Sequence, residues 1–479
     1  MATYKVVDAD QLNADMTSVA DSIRTKGGTT EALAWPDGYK AAIEAIQTGG
    51  GGGGGSSGDP TDPVEVYNTN RPSDWLPMPT PADNEMYLLF QIPDGFSSLL
   101  AFTVTCTGNY TVALGSVSDG TFVQMRKTTV ASGRKYETEL FADDYGDLTS
   151  DGHKQVMVKV SGTDILTWAP STHSKKTSPS DFAGWNIVEI SCNLPSGTSV
   201  ACGSSTGNMA LRKLRYFAWY GKNAVTNMAK MFNSCYSLTA IPQIDTSAVT
   251  DMNQMFYSCY SLTAIPQIDT SAVTNMRNMF DGCRSLTAIP QIDTSAVTNM
   301  SNMFNSCYSL TAIPQIDTSA VTDMSYMFNS CYSLTAIPQI DTSAVTRMNY
   351  MFAYCFSLTA IPQMDTSAVT NMIGVFYNCY SLTAIPQIDT SAVTNMSNMF
   401  NSCYSLTSIA LDNTVTGWSG YAVSLQDCSL SHAAIVAFFN SLPTITSAKA
   451  ITLTGNPGVS KLTAAEKAIA TGKGWTLTL

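Results

Sequence analysis

The feature that most constrains this chain is a 24-residue period that begins near Val225 and runs to about residue 410. A clean copy reads Val249-Thr-Asp-Met-Asn-Gln-Met-Phe-Tyr-Ser-Cys-Tyr-Ser-Leu-Thr-Ala-Ile-Pro-Gln-Ile-Asp-Thr-Ser-Ala272, and its Phe-x-x-Cys element recurs eight times. Burying about eight apolar side chains per unit, at roughly 1.5 to 3 kcal/mol each, only approaches the cost of ordering the unit at about 1 to 2 kcal/mol per residue. A single unit therefore does not fold. Neighbouring units must stack and share one core, and the two ends of the stack need caps.

A fixed period of this length, with Leu and Ile at set offsets, predicts an α/β leucine-rich-repeat-like solenoid with 24-residue repeats and a C-terminal cap. Within a unit, Val249, Met252, Met255, Phe256 and Cys259 fall on one face of a helix or of 3₁₀ turns. Leu262, Ile265 and Ile268 then form a short extended segment expected to pair in parallel with its neighbours, about 4.8 Å away. Pro266 fits such a strand only near its end.

Eight of the twelve cysteines share the period, from Cys235 to Cys403. One cysteine per unit is a packing position, so reduced, buried thiols are expected rather than disulfides or a metal site. The aspartates Asp245, Asp269, Asp293, Asp317, Asp341, Asp365 and Asp389 recur before Thr-Ser-Ala-Val. A ladder of like carboxylates does not supply the two unlike acids of glycoside hydrolysis. Capping of backbone N–H groups at a helix start is the expected role.

Upstream of the period the organisation changes twice. Residues 1–48 are expected to form a short α-helical N-terminal anchor, with apolar stripes at Leu12, Met16, Val19, Ala20 and Ile23 and at Tyr39, Ala42, Ile43 and Ile46. Residues 49–60 are a Gly/Ser linker. Residues 61–221 alternate strand-like runs with turn residues and predict a β-sandwich middle domain, with strands at Met86–Ile92, Leu99–Cys106, Tyr110–Val117, Val156–Val160, Ile187–Cys192 and Leu211–Tyr220. Asp143, Asp144, Asp147 and Asp151 gather on one loop there; a solvated acidic turn is the first reading and calcium the second. The solenoid then spans 222–410, and 411–479 is the capping region, which leaves the 24-residue register.

The net charge of -12 with only 13% charged residues argues against a phosphate-binding groove, so no nucleic acid is expected. No run of about 18 apolar residues occurs, so no membrane insertion is expected, and the start shows no export signal of the usual kind. No cofactor or metal is implied. The positions that differ between copies flank the buried Met, Phe and Cys and are rich in Tyr, Asn, Ser and Arg, the vocabulary of adaptable binding surfaces. By helical spacing they lie on the exposed side. The ligand-binding candidates are Tyr236, Tyr257, Tyr260, Arg277, Arg284, Tyr308, Tyr326, Tyr332, Arg347, Tyr350, Tyr354, Tyr377, Tyr380 and Tyr404. The competing explanation is drift where water is the only neighbour.

The unit Met-Phe-x-x-Cys-x-Ser-Leu-Thr-x-Ile-Pro-x-x-Asp-Thr-Ser-x-Val-Thr-Asn-Met, over about residues 225–410, resembles the BspA-like leucine-rich repeat of bacterial surface proteins, which is associated with adhesion. Ser22-Ile-Arg-Thr-Lys-Gly-Gly, Trp35-Pro-Asp-Gly-Tyr and the ending from Leu462 to Leu479 resemble segments of tail proteins of phages and prophages of Gram-positive gut bacteria. Together these resemblances imply a non-catalytic tail-tip or tail-fibre protein of a virion. It would bind a bacterial surface receptor, glycan or protein, through the solenoid and other phage tail proteins through residues 1–48, and a homotrimer is the common state of such fibres. The alternatives are a bacterial cell-surface adhesin, and a tail-associated depolymerase with its active site in residues 61–220.

Overall fold

In the computed structural model the described residues are 71–171, 186–203, 211–409, 411–412 and 422–479. The chain divides into two compact units, Met1–Asp62 and Pro63–Leu479. The expected helical anchor and its linker lie outside the described residues.

The region after residue 71 is built on long strands. They are β1 (Glu85–Pro93), β2 (Ser97–Ser118), β3 (Thr121–Ala131), β4 (Lys135–Phe141), β5 (His153–Pro170), β6 (Ile187–Asn193), β7 (Ser199–Val200) and β8 (Tyr216–Trp219). They form one eight-stranded sheet in the order β3-β2-β5-β1-β6-β8, with β4 on β2 and β7 on β5. The strands expected to make a β-sandwich are joined here by one continuous ladder. The two runs expected at Leu99–Cys106 and Tyr110–Val117 are a single strand, bent by register shifts at Thr105/Thr107 and Thr107/Thr111. Its first half pairs with β4 and its second with β3. Strand β3 has no buried residue, hence no alternating apolar signal in its sequence.

Alternation along β1 serves two cores. Met86, Leu88, Phe90 and Ile92 enter the main one, while Tyr87 and Leu89 meet Trp75, Met157, Val188 and Tyr216 on the opposite face. Strand β8 joins the sheet to the solenoid. The Phe217 ring sits edge-on to Phe232 at 5.0 Å, and the carbonyls of Arg212 and Arg215 accept from Ser237 and Thr239. One hydrophobic cluster runs from Met86 to Trp475, across residue 221. The sheet itself caps the first turn of the solenoid.

Each solenoid turn uses alternate N–H groups in alternate directions. Met252, Gln254, Phe256 and Ser258 donate to the carbonyls of Asn275, Arg277, Met279 and Asp281 in the next turn, at 2.7 to 3.0 Å. Met255, Tyr257 and Cys259 donate instead to the residue three back in their own turn. This replaces the expected helical face with a ladder of tight turns, whose bridges run from Asn227 to Asn395 at 24-residue steps. The expected parallel sheet at Leu262–Ile268 is also reduced, to bonds such as Thr263 N–H to Thr239 O at 3.2 Å. Pro266 has no N–H to continue that ladder. Among the described residues a two-residue strand pairing appears where Ile388–Asp389 (β9) meets Leu411–Asp412 (β10), beside a single bridge between Ala384 and Ser408.

The apolar set behaves as its period requires. Val297, Met300, Met303, Phe304, Cys307 and Leu310 have no exposed surface, and the phenylalanines stack from Phe232 to Phe400 with ring centres 5.6 to 5.8 Å apart. From Cys259 to Cys403 each thiol donates to a phenylalanine carbonyl of the preceding turn, as Cys307 Sγ does to Phe280 O at 3.2 Å, while Cys235 Sγ donates to Cys202 O at 3.4 Å. Burial pushes these thiols well above their usual pKa.

The carboxy-terminal region keeps the ladder and adds helices. Ser402 N–H bonds to Gln426 O and Cys428 Sγ to Phe400 O. Beyond lie β11 (Val423–Ser424), α1 (His432–Ser441), β12 (Lys449–Thr452), α2 (Ala464–Thr471) and β13 (Trp475–Thr478). The strands form a parallel sheet, Ser431 caps α1, and Thr463 with Glu466 makes a capping box on α2. Ile435, Phe438, Phe439 and Trp475 close the core.

Candidate functional site

The near-identical segments of the repeat are occupied with one another. Asp317 Oδ1 accepts from Ser319 N–H at 2.9 Å and from Ser319 Oγ at 2.7 Å, and equivalent bonds recur at Asp269, Asp293, Asp341 and Asp365. These bonds hold the carboxyls below their usual pKa, which is how a ladder of like charges is tolerated. The expected capping of backbone N–H groups is present as turns of this kind, and no helix follows. The buried Thr of the Asp-Thr-Ser segments from Thr246 to Thr366 ties the turns together, Thr318 Oγ1 donating to Asp341 O at 2.7 Å. A groove of about 700 Å³ runs beside Gln315–Ser319, Gln339–Thr342 and Asp365. Every residue along it belongs to the common scaffold, so it offers nothing that distinguishes one turn from another.

The acidic loop of the β-region is held by bonds of its own. Asp143 and Asp144 sit on a 3₁₀ turn, while Asp151 is bonded to Thr149 and His153. Among the described residues no three His, Cys, Asp or Glu side chains converge as metal ligands.

The variable positions form two arrays. In the first, the residue after each Cys lies against its counterpart in the next turn. Tyr236 stacks on Tyr260 at 4.7 Å, Tyr308 on Tyr332 at 4.5 Å, Tyr332 on Phe356 at 4.8 Å and Phe356 on Tyr380 at 4.7 Å. Tyr404 closes the row, tilted by 40° on Tyr380 and 50% exposed. Arg284 fills the one gap in the aromatic row, its guanidinium 4.5 Å from the Tyr260 ring centre and 5.2 Å from that of Tyr308. Tyr236, Tyr260, Tyr308, Tyr332 and Tyr380 are therefore half-buried, not fully exposed as helical spacing implied. Their faces are taken by neighbours, and what they can offer a ligand is an edge and a hydroxyl.

The second array contains Tyr326, Tyr350, Tyr354 and Tyr377, candidates from the sequence whose backbone conformation periodicity does not disclose. Two positions per turn have left-handed φ: the second residue after the first Met and the second after Phe. Most turns place Asn, Ser, Gln or Gly there, residues whose presence is explained by that conformation without any ligand. Three such positions, in two adjacent turns, hold tyrosine instead: Tyr326 at φ 58°, Tyr350 at φ 55° and Tyr354 at φ 61°. Tyr326 stacks on Tyr350 at 5.1 Å, and Tyr354 meets Tyr377 and Phe356 edge-on at 5.3 and 6.2 Å. Burial raises the Tyr354 and Tyr380 hydroxyls to about 12. The two arrays meet here, because Phe356 belongs to the row and touches Tyr354.

The remaining candidates fall elsewhere. Arg347 bonds Asp323 across one turn, its Nε 3.2 Å from Oδ2 and its Nη2 closer still. Tyr257 is half-buried beside Asp281, and Arg277 is exposed. Asp281 accepts from the amides of Asn278 and Asn305, both at 2.8 Å, and burial raises its pKa to about 6.

Residues 217–312, 277–379 and 309–418 match the family described as "Mycoplasma protein of unknown function, DUF285". No curated protein matches the chain. Among solved structures it is similar to a leucine-rich-repeat protein of T. pallidum, at 19% identity over 40% of this chain and 77% of that one, with TM-score 0.24. It is also similar to a leucine-rich cell-surface protein of Faecalibacterium prausnitzii A2-165, at 15% identity over 60% of this chain and 84% of that one, with TM-score 0.16. Residues 227–408 form a solenoid of stacked turns, held by the inter-turn bonds described above.

Proposed function

We propose that this chain is a non-catalytic attachment protein whose solenoid binds a glycan or protein on a bacterial surface through the aromatic patch of Tyr326, Tyr350, Tyr354, Tyr377 and Tyr380. The observation that carries this reading is the left-handed backbone at Tyr326, Tyr350 and Tyr354. Tyrosine at such positions is disfavoured, and most other turns place Asn, Ser or Gly there, Lys230 and Gln254 being the exceptions. Retained strain of this kind, gathered in neighbouring turns, points to use rather than to drift. Tyrosine also adds contact area at low entropy cost.

The carrier we infer is a phage tail, with residues 1–48 docking on other tail proteins. Its support is the resemblance of Ser22–Gly28, Trp35–Tyr39 and Leu462–Leu479 to segments of tail proteins. A bacterial cell-surface adhesin is the second reading, supported by the BspA-like unit itself.

The deciding experiment compares attachment to a panel of Gram-positive gut bacteria by the full chain and by a Tyr326→Asn, Tyr350→Asn, Tyr354→Ser variant. These replacements are the residues other turns use. At least a tenfold loss of attachment with folding intact is expected, and unchanged attachment would sink the assignment. Antibody labelling of tail tips, as against cell walls, separates the two carriers.

A further inference from the structure

The row of residues after each Cys is aromatic in every solenoid turn but one. Arg284 lies between Tyr260 and Tyr308 with both faces of its guanidinium covered, at 4.5 and 5.2 Å from the ring centres. Such a sandwich stabilises the cation and fixes its plane. It does not neutralise it: among the described residues no carboxylate lies within ion-pair distance of Arg284, although six ion pairs are formed elsewhere. The nearby Asp281 has both oxygens occupied by the amides of Asn278 and Asn305. The Nε of Arg284 is buried without an acceptor. A guanidinium whose faces are covered can reach a ligand only with the N–H groups of its edge, and the edges of two tyrosines flank it.

We infer that Arg284, framed by Tyr260 and Tyr308, is an oxyanion subsite of the solenoid that selects surface glycans bearing carboxylate or phosphodiester groups. The chemistry is that of a fixed N–H fork, which pairs with planar or tetrahedral oxyanions through two charge-assisted bonds. Pre-stacking removes much of the side-chain entropy that an ordinary surface arginine loses on binding. The stack also explains the residue's place. An arginine is planar, so it fills the row without interrupting it, whereas a lysine would leave a gap.

This inference rests on the solenoid being a glycan-binding surface, and the test keeps the two ideas apart. Full-length protein is titrated against immobilised polygalacturonate, poly(glycerol phosphate) and neutral dextran, alongside Arg284→Tyr and Arg284→Lys. Arg284→Tyr restores the residue of neighbouring turns and keeps the stack. It is expected to weaken binding to at least one acidic polymer by tenfold or more, with no change in thermal unfolding and none in binding to dextran. Arg284→Lys keeps the charge and loses the fork, so it is expected to remain weakened. Which acidic polymer responds tells carboxylate from phosphodiester. Wild-type binding to neither acidic polymer above the dextran level, or equal binding by wild type and Arg284→Tyr, overturns the subsite. Cell attachment that still depends on Tyr326, Tyr350 and Tyr354 would leave the broader function standing.

Discussion

The ring of Tyr350 lies against Gly374 of the next turn, so closely that a β-carbon on that glycine would stand 2.5 Å from Tyr350 Cε1. Gly374 occupies the left-handed position that Asn278, Asn302 and Asn398 fill in other turns. Gly374→Asn should therefore suit the backbone and collide with the ring. A loss of about 1 to 2 kcal/mol from overpacking is expected, together with a fall in attachment matching that of Tyr350→Asn. Calorimetry and cell binding check both, and normal attachment would show that the position of this ring is irrelevant.

Relieving the strain should uncouple stability from binding. Tyr350→Asn removes a disfavoured conformation but also the contact with Tyr326, an aromatic pair of order 0.5 to 1.5 kcal/mol. The two effects oppose, and the net change in unfolding free energy is expected within about 1 kcal/mol. Attachment should fall much further. A large destabilisation would mean that the tyrosines are scaffold.

The phenylalanine row should behave in the opposite way. Phe304 is fully buried between Phe280 and Phe328, at 5.7 and 5.6 Å. Phe304→Ala is expected to cost roughly 3 to 5 kcal/mol, read as a lowered denaturant midpoint. A cost below about 1 kcal/mol is incompatible with a continuous spine.

Asp281 makes stability depend on pH in an unusual direction for a carboxylate. Its folded pKa is raised from 3.8 to about 6. The folded state thus holds the proton more tightly than the unfolded chain, and stability from this group falls as pH rises from about 4 to about 6, then levels off. The shift corresponds to at most about 3 kcal/mol. Asp281→Asn, with the residue that Asn305 and Asn329 represent in the next turns, should flatten that slope. The exposed Asp269, Asp293, Asp317 and Asp341 have lowered pKa values and act oppositely, losing their contribution as pH falls below about 3.8. Acid loss in that lower window should persist in the variant. Urea unfolding across pH 3 to 8 separates the two windows.

The repeat cysteines should be silent in the folded protein. All eight, from Cys235 to Cys403, are fully buried and their thiols are pushed up by burial. Iodoacetamide is expected to modify none of them until denaturant is added. Native labelling at any one, located by mass spectrometry, would mark a turn that opens locally.

The period and the identity of the buried residues were legible in the chain itself. A 24-residue unit cannot bury its Val, Met, Phe, Cys, Leu and Ile alone, so stacking follows from energetics before any coordinates are seen. What periodicity could not reveal was which backbone groups carry the stack. The spacing of Met252, Met255, Phe256 and Cys259 fits a helix as well as it fits successive tight turns, and only the direction of each N–H distinguishes them. The same blindness hid the left-handed positions, since asparagine and serine there look like surface drift until φ is known. Arg284 and Tyr350 read alike as variable exposed residues. Only the tertiary structure, by setting each turn's side chains against the next, made one a stacked cation without a carboxylate and the other a strained ring resting on a glycine.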